Sequence, residues 1–435
     1  MDQTIVAYKA DIDHSSLRFI IIWIGQLISS IGSGLTAFAL GAYVFQLTGS
    51  ATIYSLILLS SFLPSLLLKP IGGTLADRMN RKKLMIIGDF GSIIGIIFII
   101  AMMFMGIKNL WVIYFGTIIS SIFFALQNPA YKASVTDLIE KEFYTKASGL
   151  LQLAESAKYL ISPVIAGFLL RIIDIKEILM IDAATFLIAI FTVFLIKPNF
   201  TEKNQIVITK NFMHDFMEGF RYLSNKKEIM LLISIISLVT FFIGLLQALL
   251  GPMILSFTNP QIFGISLTIS TTGMLLGSVF IGIFGKYSNK IRLLSVNLML
   301  NGLFFALIGV SANIIIITLF GFLFFLAVPL VNTSLDVLVR SHVSNDMQGR
   351  IWSMVSLISQ LGMAISFGIA GYLADHIFNP LLQPNGLLAS SVGMLIGVGN
   401  GRGIGLILII SGILVATLAI VIAKLKILKE LEFRI

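Results

Sequence analysis

Apolar runs of about 20 residues recur along the whole chain, each closed by a short polar stretch; they begin near Leu17, Ala51, Leu84, Leu110, Ala147, Glu177, Ile229, Phe263, Ile291, Ile314, Ile351 and Gly403. Each is long enough to cross a hydrocarbon core as a helix. The strict apolar–polar alternation of a barrel strand is missing, and in lipid every backbone amide needs an internal partner, so the runs are read as helices. The pattern predicts an all-α polytopic membrane protein with twelve transmembrane helices in two six-helix pseudo-repeats. Residues 1–16 are expected to form a cytoplasmic amino-terminal segment, 17–197 a first six-helix bundle, 198–228 a cytoplasmic linker, 229–425 a second bundle and 426–435 a cytoplasmic tail. Within the linker, Phe212, Met213, Phe216, Phe220 and Leu223 recur at helical spacing, which predicts an amphipathic helix on the inner leaflet.

Composition agrees with a lipid-facing surface: 57% of residues are hydrophobic and 12% charged. Mean hydropathy is +0.98. The net charge of +9 does not point to nucleic acid, because the basic residues are spread over short loops rather than gathered in one patch. Of the 30 Lys and Arg, Lys108, Arg171, Lys176 and Arg402 fall on one side, Lys69 and Lys158 fall within spans, and 24 fall on the other side. The positive-inside rule makes that last side cytoplasmic and puts both termini there, in a multi-pass protein of the cell membrane. The amino-terminal stretch carries Asp2, Asp11 and Asp13 instead of a basic leader, so the first run is read as a retained helix.

Several chemistries find no support. The chain has no cysteine, and His14, His214, His342 and His376 lack metal-ligand spacing, so no metal is expected. Gly285-Lys286 is followed by Tyr287 and has no glycine at position 280, so it is not a nucleotide-binding loop; the glycines from Gly397 to Gly405 do not follow a strand. No enzyme and no cofactor are expected.

The two halves resemble each other. Gly73-Thr74-Leu75 through Leu84 aligns with Gly282-Ile283-Phe284 through Leu293, Pro129 and Ser134 with Pro329 and Ser334, and Ile165 through Leu169 with Ile369 through Leu373. Both charged loops fall on the same side, so the repeat is parallel. Lys286 stands where the first copy has Asp77, which makes the halves unequal.

The first copy of that loop, Gly73-Thr74-Leu75-Ala76-Asp77-Arg78-Met79-Asn80-Arg81-Lys82-Lys83, joins two apolar runs at a membrane surface. It resembles the Gly-x-Leu-Ala-Asp-Arg-x-x-Arg-Lys loop of the major facilitator superfamily. Three further stretches are similar to the branch holding macrolide-efflux proteins and the enterobactin exporter: Gly25 to Ser33 running on to Gln46–Ser50, Ile181 to Phe186, and Gly399 to Gly405. The resemblance implies an exporter of an amphipathic organic compound (drug, macrolide-like or siderophore-like). It would work by alternating access in exchange for protons, with the proton-motive force as its energy source. A passive lipid or solute translocator, or an importer of the same fold, is the alternative. The expected partners are the small-molecule substrate, protons and membrane lipids, and a monomer is expected.

By the same resemblance, Gly73, Asp77, Arg78, Arg81 and Lys82 would form a cytoplasmic gate. Asp77 would face the start of a later helix near Gly349 and Arg350. Ser162-Pro163-Val164-Ile165-Ala166-Gly167 is similar to an antiporter signature, with Ser162 in place of its first glycine. The residues themselves supply the proton candidates, because a charge in a span costs about 2.5 to 3.5 kcal/mol and asks for a reason. Glu155 and Lys158, at i and i+3, can pair, and Lys69 can compete for Glu155. Asp182 lies one turn inside an outer helix end. Asp89, Asp137 and Asp336 are placed with Asp77 near the inner surface. No acidic residue occurs from Ile229 to Leu335. For the substrate cavity, Gln26, Gln247, Asn301 and Gln360 are the candidates.

Overall fold

A computed structural model describes residues 2–107, 109–196, 226–284, 290–343 and 348–425. The expected amphipathic segment at 212–223, Lys286 and the tail lie outside the described residues. Among the described residues there is no strand, and twelve helical spans are long and apolar enough to cross a membrane. The helices are α1 (Asp2–Thr48), α2 (Ala51–Arg78), α3 (Arg81–Phe104), α4 (Leu110–Leu138), α5 (Tyr144–Leu160), α6 (Ser162–Ile172) and α7 (Ile175–Leu195). Then come α8 (Lys227–Leu255), α9 (Pro260–Phe284), α10 (Lys290–Val310), α11 (Ile314–His342), α12 (Gln348–Tyr372) and α13 (Arg402–Lys424).

Local chemistry explains the ends. Asn80 caps α3 by accepting from the Lys83 amide, Asn109 caps α4 by accepting from that of Trp111, and Asp174 with Glu177 forms a capping box at the start of α7. α5 and α6 are one span interrupted at Ile161, where Pro163 opens the second piece. Two boundaries depart from expectation. α1 begins at Asp2, so residues 2–16 extend the first helix. α4 runs on to Leu138, which puts Lys132 inside the helix instead of in the loop after it.

The chain divides into two compact units: Met1–Tyr43 with Ile57–Gln205, and Val44–Leu56 with Ile206–Ile435. The first is built on a buried cluster in which Phe19 and Ile22 of α1, Leu84 and Met85 of α3, Tyr131 and Val135 of α4 and Val193 of α7 meet. In the second, the corner Val44–Leu56 is held by Asp375, which sits in a π-helical turn (Leu373–Phe378) following α12. Asp375 accepts from the Ser50 hydroxyl at 2.6 Å, from the Thr52 amide and hydroxyl at 2.8 Å each and from the Ala51 amide at 3.1 Å. It thus caps the amino terminus of α2, where the helix dipole favours a carboxylate. Arg402 does the converse at the end of α10, donating to the carbonyls of Gly309 (2.9 Å) and Val310 (3.0 Å).

Candidate functional site

Two carboxyl groups of the first unit are almost fully enclosed, Asp89 of α3 and Asp182 of α7, each with 1% of its surface exposed. Neither has a basic side chain within ion-pair distance among the described residues. Asp182 faces α1 at Gly32, where an added Cβ would lie 2.8 Å from its Oδ1 and collide with the Thr185 hydroxyl. Glycine therefore lets the α1 backbone close over the carboxyl. Thr185 donates to Asp182 Oδ1 at 3.4 Å, and Lys158 of α5 is near enough for its charge to act on the carboxyl. Seven residues of α7 precede Asp182, so it lies about two turns inside the helix, deeper than the single turn expected.

Asp89 corrects an expectation. It is not a surface gate residue but the end of a buried chain: the Gln127 amide donates to Gln26 Oε1 at 2.6 Å, and Gln26 Nε2 donates to Asp89 Oδ2 at 3.1 Å. Three helices thereby share one polar network. Gln26, expected to line a substrate cavity, is spent on this internal contact. Asn301 is likewise buried and donates to the Phe324 carbonyl at 3.2 Å, bridging α10 and α11. Gln247 is exposed, and half-buried Gln360 donates to the Ser356 hydroxyl at 2.8 Å within its own helix.

The expected Glu155–Lys158 pair does not form. Glu155 pairs with Lys132 of α4 at 2.7 Å, both side chains 47% exposed, while Lys158 lies over the Phe124 ring at 5.9 Å. The reason is rotation: α5 turns Glu155 toward α4, so the partner comes from a neighbouring helix and not from the next turn. Lys69 of α2 is close enough for the charges of Lys132 and Glu155 to act on it.

The charged loop holds its own unit together. Arg81 pairs with Asp137 at 2.9 Å and also donates to the Ala133 carbonyl (2.6 Å) and the Thr136 hydroxyl (2.9 Å) of α4. Lys82 reaches the chain at the end of α7, donating to the carbonyls of Ile196 (2.6 Å) and Phe194 (3.0 Å). Asp77 and Arg78 are exposed, with no hydrogen bond or ion pair among the described residues. The side chain of Arg350 lies outside the described residues. Close helix approach falls beside Gly73 and not at it: a Cβ on Gly73 would meet nothing within 4 Å, whereas one at Gly72 would collide with the Ala125 carbonyl of α4.

The family model of the Major Facilitator Superfamily matches residues 22–367, most of the chain. The chain belongs to the major facilitator superfamily. It is accordingly a multi-pass membrane transport protein and not an enzyme. Macrolide efflux protein A of Streptococcus pyogenes is 29% identical to it over 83% of this chain and 90% of its own length. The uncharacterized MFS-type transporter YfiS of Bacillus subtilis is 28% identical over 81% and 85%. Among solved structures, the nucleoside transporter NupG superposes with a TM-score of 0.69 at 16% identity, covering 94% of this chain and all of that one. A bacterial metal transporter does so at 0.67 and 12%, covering 94% and 99%. These likenesses show the fold. The resemblance to the macrolide-efflux branch read from the sequence is matched by macrolide efflux protein A over most of the chain.

Within the superfamily, Ser162 departs from the glycine of the antiporter-like signature, and its surroundings explain how it is accommodated. Ser162 is fully buried and donates to the Ile31 carbonyl of α1 at 2.8 Å; facing it is Gly34, whose missing Cβ leaves the room. Pro163 and Gly167 are buried in the same short helix.

Sequence reasoning put Asp89 near the inner surface without seeing its buried partners, passed over Lys132, and gave Asp375 no role. A signal existed for Asp89: an acid and a glutamine at mid-run positions of neighbouring apolar segments each need a buried partner.

Proposed function

We propose that the protein exports an amphipathic organic compound in exchange for protons, by alternating access in the cell membrane with both termini cytoplasmic. The names of its relatives support efflux: macrolide efflux protein A, and the multi-drug resistance efflux pump PmrA of Streptococcus pneumoniae, 24% identical over 81% of this chain. The observation that carries proton exchange is Asp182, a carboxyl enclosed in the first unit with no ion-pair partner among the described residues. A buried carboxylate with no ion pair is expensive, even with the Lys158 charge nearby, and a proton can discharge it. Glu155 is the weaker carrier, because Lys132 already neutralises it. Asp182 lies against the glycine face of α1, so a change in its charge acts directly on how closely α1 and α7 can approach. Asp77, exposed and unpartnered among the described residues, serves as the cytoplasmic gate carboxylate, while Arg81 and Lys82 fix the turn that presents it.

The test starts from a deletion strain challenged with a panel of drugs and siderophores, which names the compound to follow. Cells expressing the protein should extrude that compound against its gradient, and a protonophore should stop extrusion. Uphill extrusion that survives collapse of the proton-motive force would exclude proton exchange; downhill flux alone would favour the passive translocator.

A further inference from the structure

The first unit carries a group of charges at a depth where charge is costly. Glu155 is eleven residues into the span Tyr144–Ile172, about 16 Å along its axis, and Lys158 lies at the middle of that span. Lys69 is nine residues from the inner end of α2 and Lys132 six from that of α4, about 14 and 9 Å. Lys69, Lys132 and Glu155 are nonetheless exposed. Charged side chains at such depth do not face lipid, so they line a polar path. The Lys132–Glu155 pair uses the only carboxylate of the group, and Lys158 rests on Phe124. Lys69 has neither a hydrogen bond nor an ion pair among the described residues. The buried Tyr131 hydroxyl, within reach of the charge of Glu155, also has no hydrogen-bond partner among the described residues. Even with Asp182, the enclosed acid on which the Lys158 charge acts, counted beside Glu155, three cations against two acids leave an excess of positive charge, with an aromatic ring beside it.

We propose that this cluster binds an acidic group of the transported compound, a carboxylate, sulfonate or phosphate, with its apolar body lying against Phe124. The proposal rests on the exporter reading and adds the charge of the substrate to it. A cationic amphiphile would meet net repulsion from Lys69, Lys132 and Lys158. An organic anion would offset the excess, with Lys69 as its first contact and Glu155 as the group it displaces from Lys132.

The test is equilibrium dialysis of the full chain in nanodiscs against empty nanodiscs, which subtracts partition into lipid. The probes share one apolar body and differ in charge: 1-naphthylacetate and 1-naphthylethylammonium. No gradient is applied, so failure here leaves proton-driven export untouched, and failure of export leaves this result standing. The acid should bind about tenfold tighter than the ammonium, as one additional partly solvated charge contact gives. Lys69→Gln should reduce that preference to about threefold or less while Lys69→Arg retains it, and Glu155→Gln should tighten acid binding by freeing Lys132. A purely structural Lys69 would change both probes alike or neither. Equal binding, preference for the ammonium or no binding of the acid would each overturn the proposal. Loss of acid binding when anionic lipid is added to the nanodiscs would assign the cluster to a lipid headgroup instead.

Discussion

A carboxyl group in a helix bundle is defined by what neutralises it, and by that measure four acids of the first unit, Asp89, Asp137, Glu155 and Asp182, fall into three kinds. Asp137 and Glu155 have basic partners at 2.9 and 2.7 Å, and Asp89 has a neutral amide donor. Asp182 has a hydroxyl and an electrostatic neighbour but no ion pair. Spacing along the sequence marked these residues as out of place in apolar runs, yet it assigned Glu155 the wrong partner. The i, i+3 rule reports neighbours on one helix, whereas Lys132 arrives from another, and helix rotation is not written in any one segment. Asp77 is different again, exposed and without a contact to lose among the described residues. Asp77→Asn should therefore shift thermal stability in detergent by no more than about 1 kcal/mol while lowering the transport rate. Wild-type transport by correctly inserted Asp77→Asn protein would remove Asp77 from the gate.

At the scale of elements, with α5 and α6 taken as one span, the starts of the apolar runs located every helix but α1 to within about four residues, because length and polarity are enforced by the bilayer; α1 begins earlier, at Asp2. Facing was less legible. The charged loop drew attention to Gly73, but the position that must lack a side chain is its neighbour Gly72, packed on the Ala125 carbonyl. The two substitutions separate these roles. Gly72→Ala should cost about 1 to 3 kcal/mol through overpacking and lower both yield and melting temperature, whereas Gly73→Ala should leave both near wild type. Equal tolerance of the two would contradict the α2–α4 packing described above. The break between α5 and α6 was visible at Pro163; that Gly34 of α1 faces Ser162 and leaves it room was not, since it depends on which helices meet.

For the whole molecule, the repeat was legible in the paired Pro129 and Pro329, which lie within α4 and α11, and in Ser134 and Ser334, both buried and both donating to carbonyls of their own helices. The inequality of the halves was legible as well, since acids are concentrated in the first. Two buried carboxyls, one basic cluster and a stapled loop all belong to the first unit, and the central claim is that Asp182 exchanges protons there for an exported compound. The most direct measurement is transport into proteoliposomes with an acidic lumen, following the compound identified by the deletion strain. Wild-type protein should concentrate it inside until the pH gradient is collapsed. Asp182→Asn should equilibrate it without concentrating it, because the amide cannot take up or release the proton. Accumulation by Asp182→Asn equal to wild type would contradict the account.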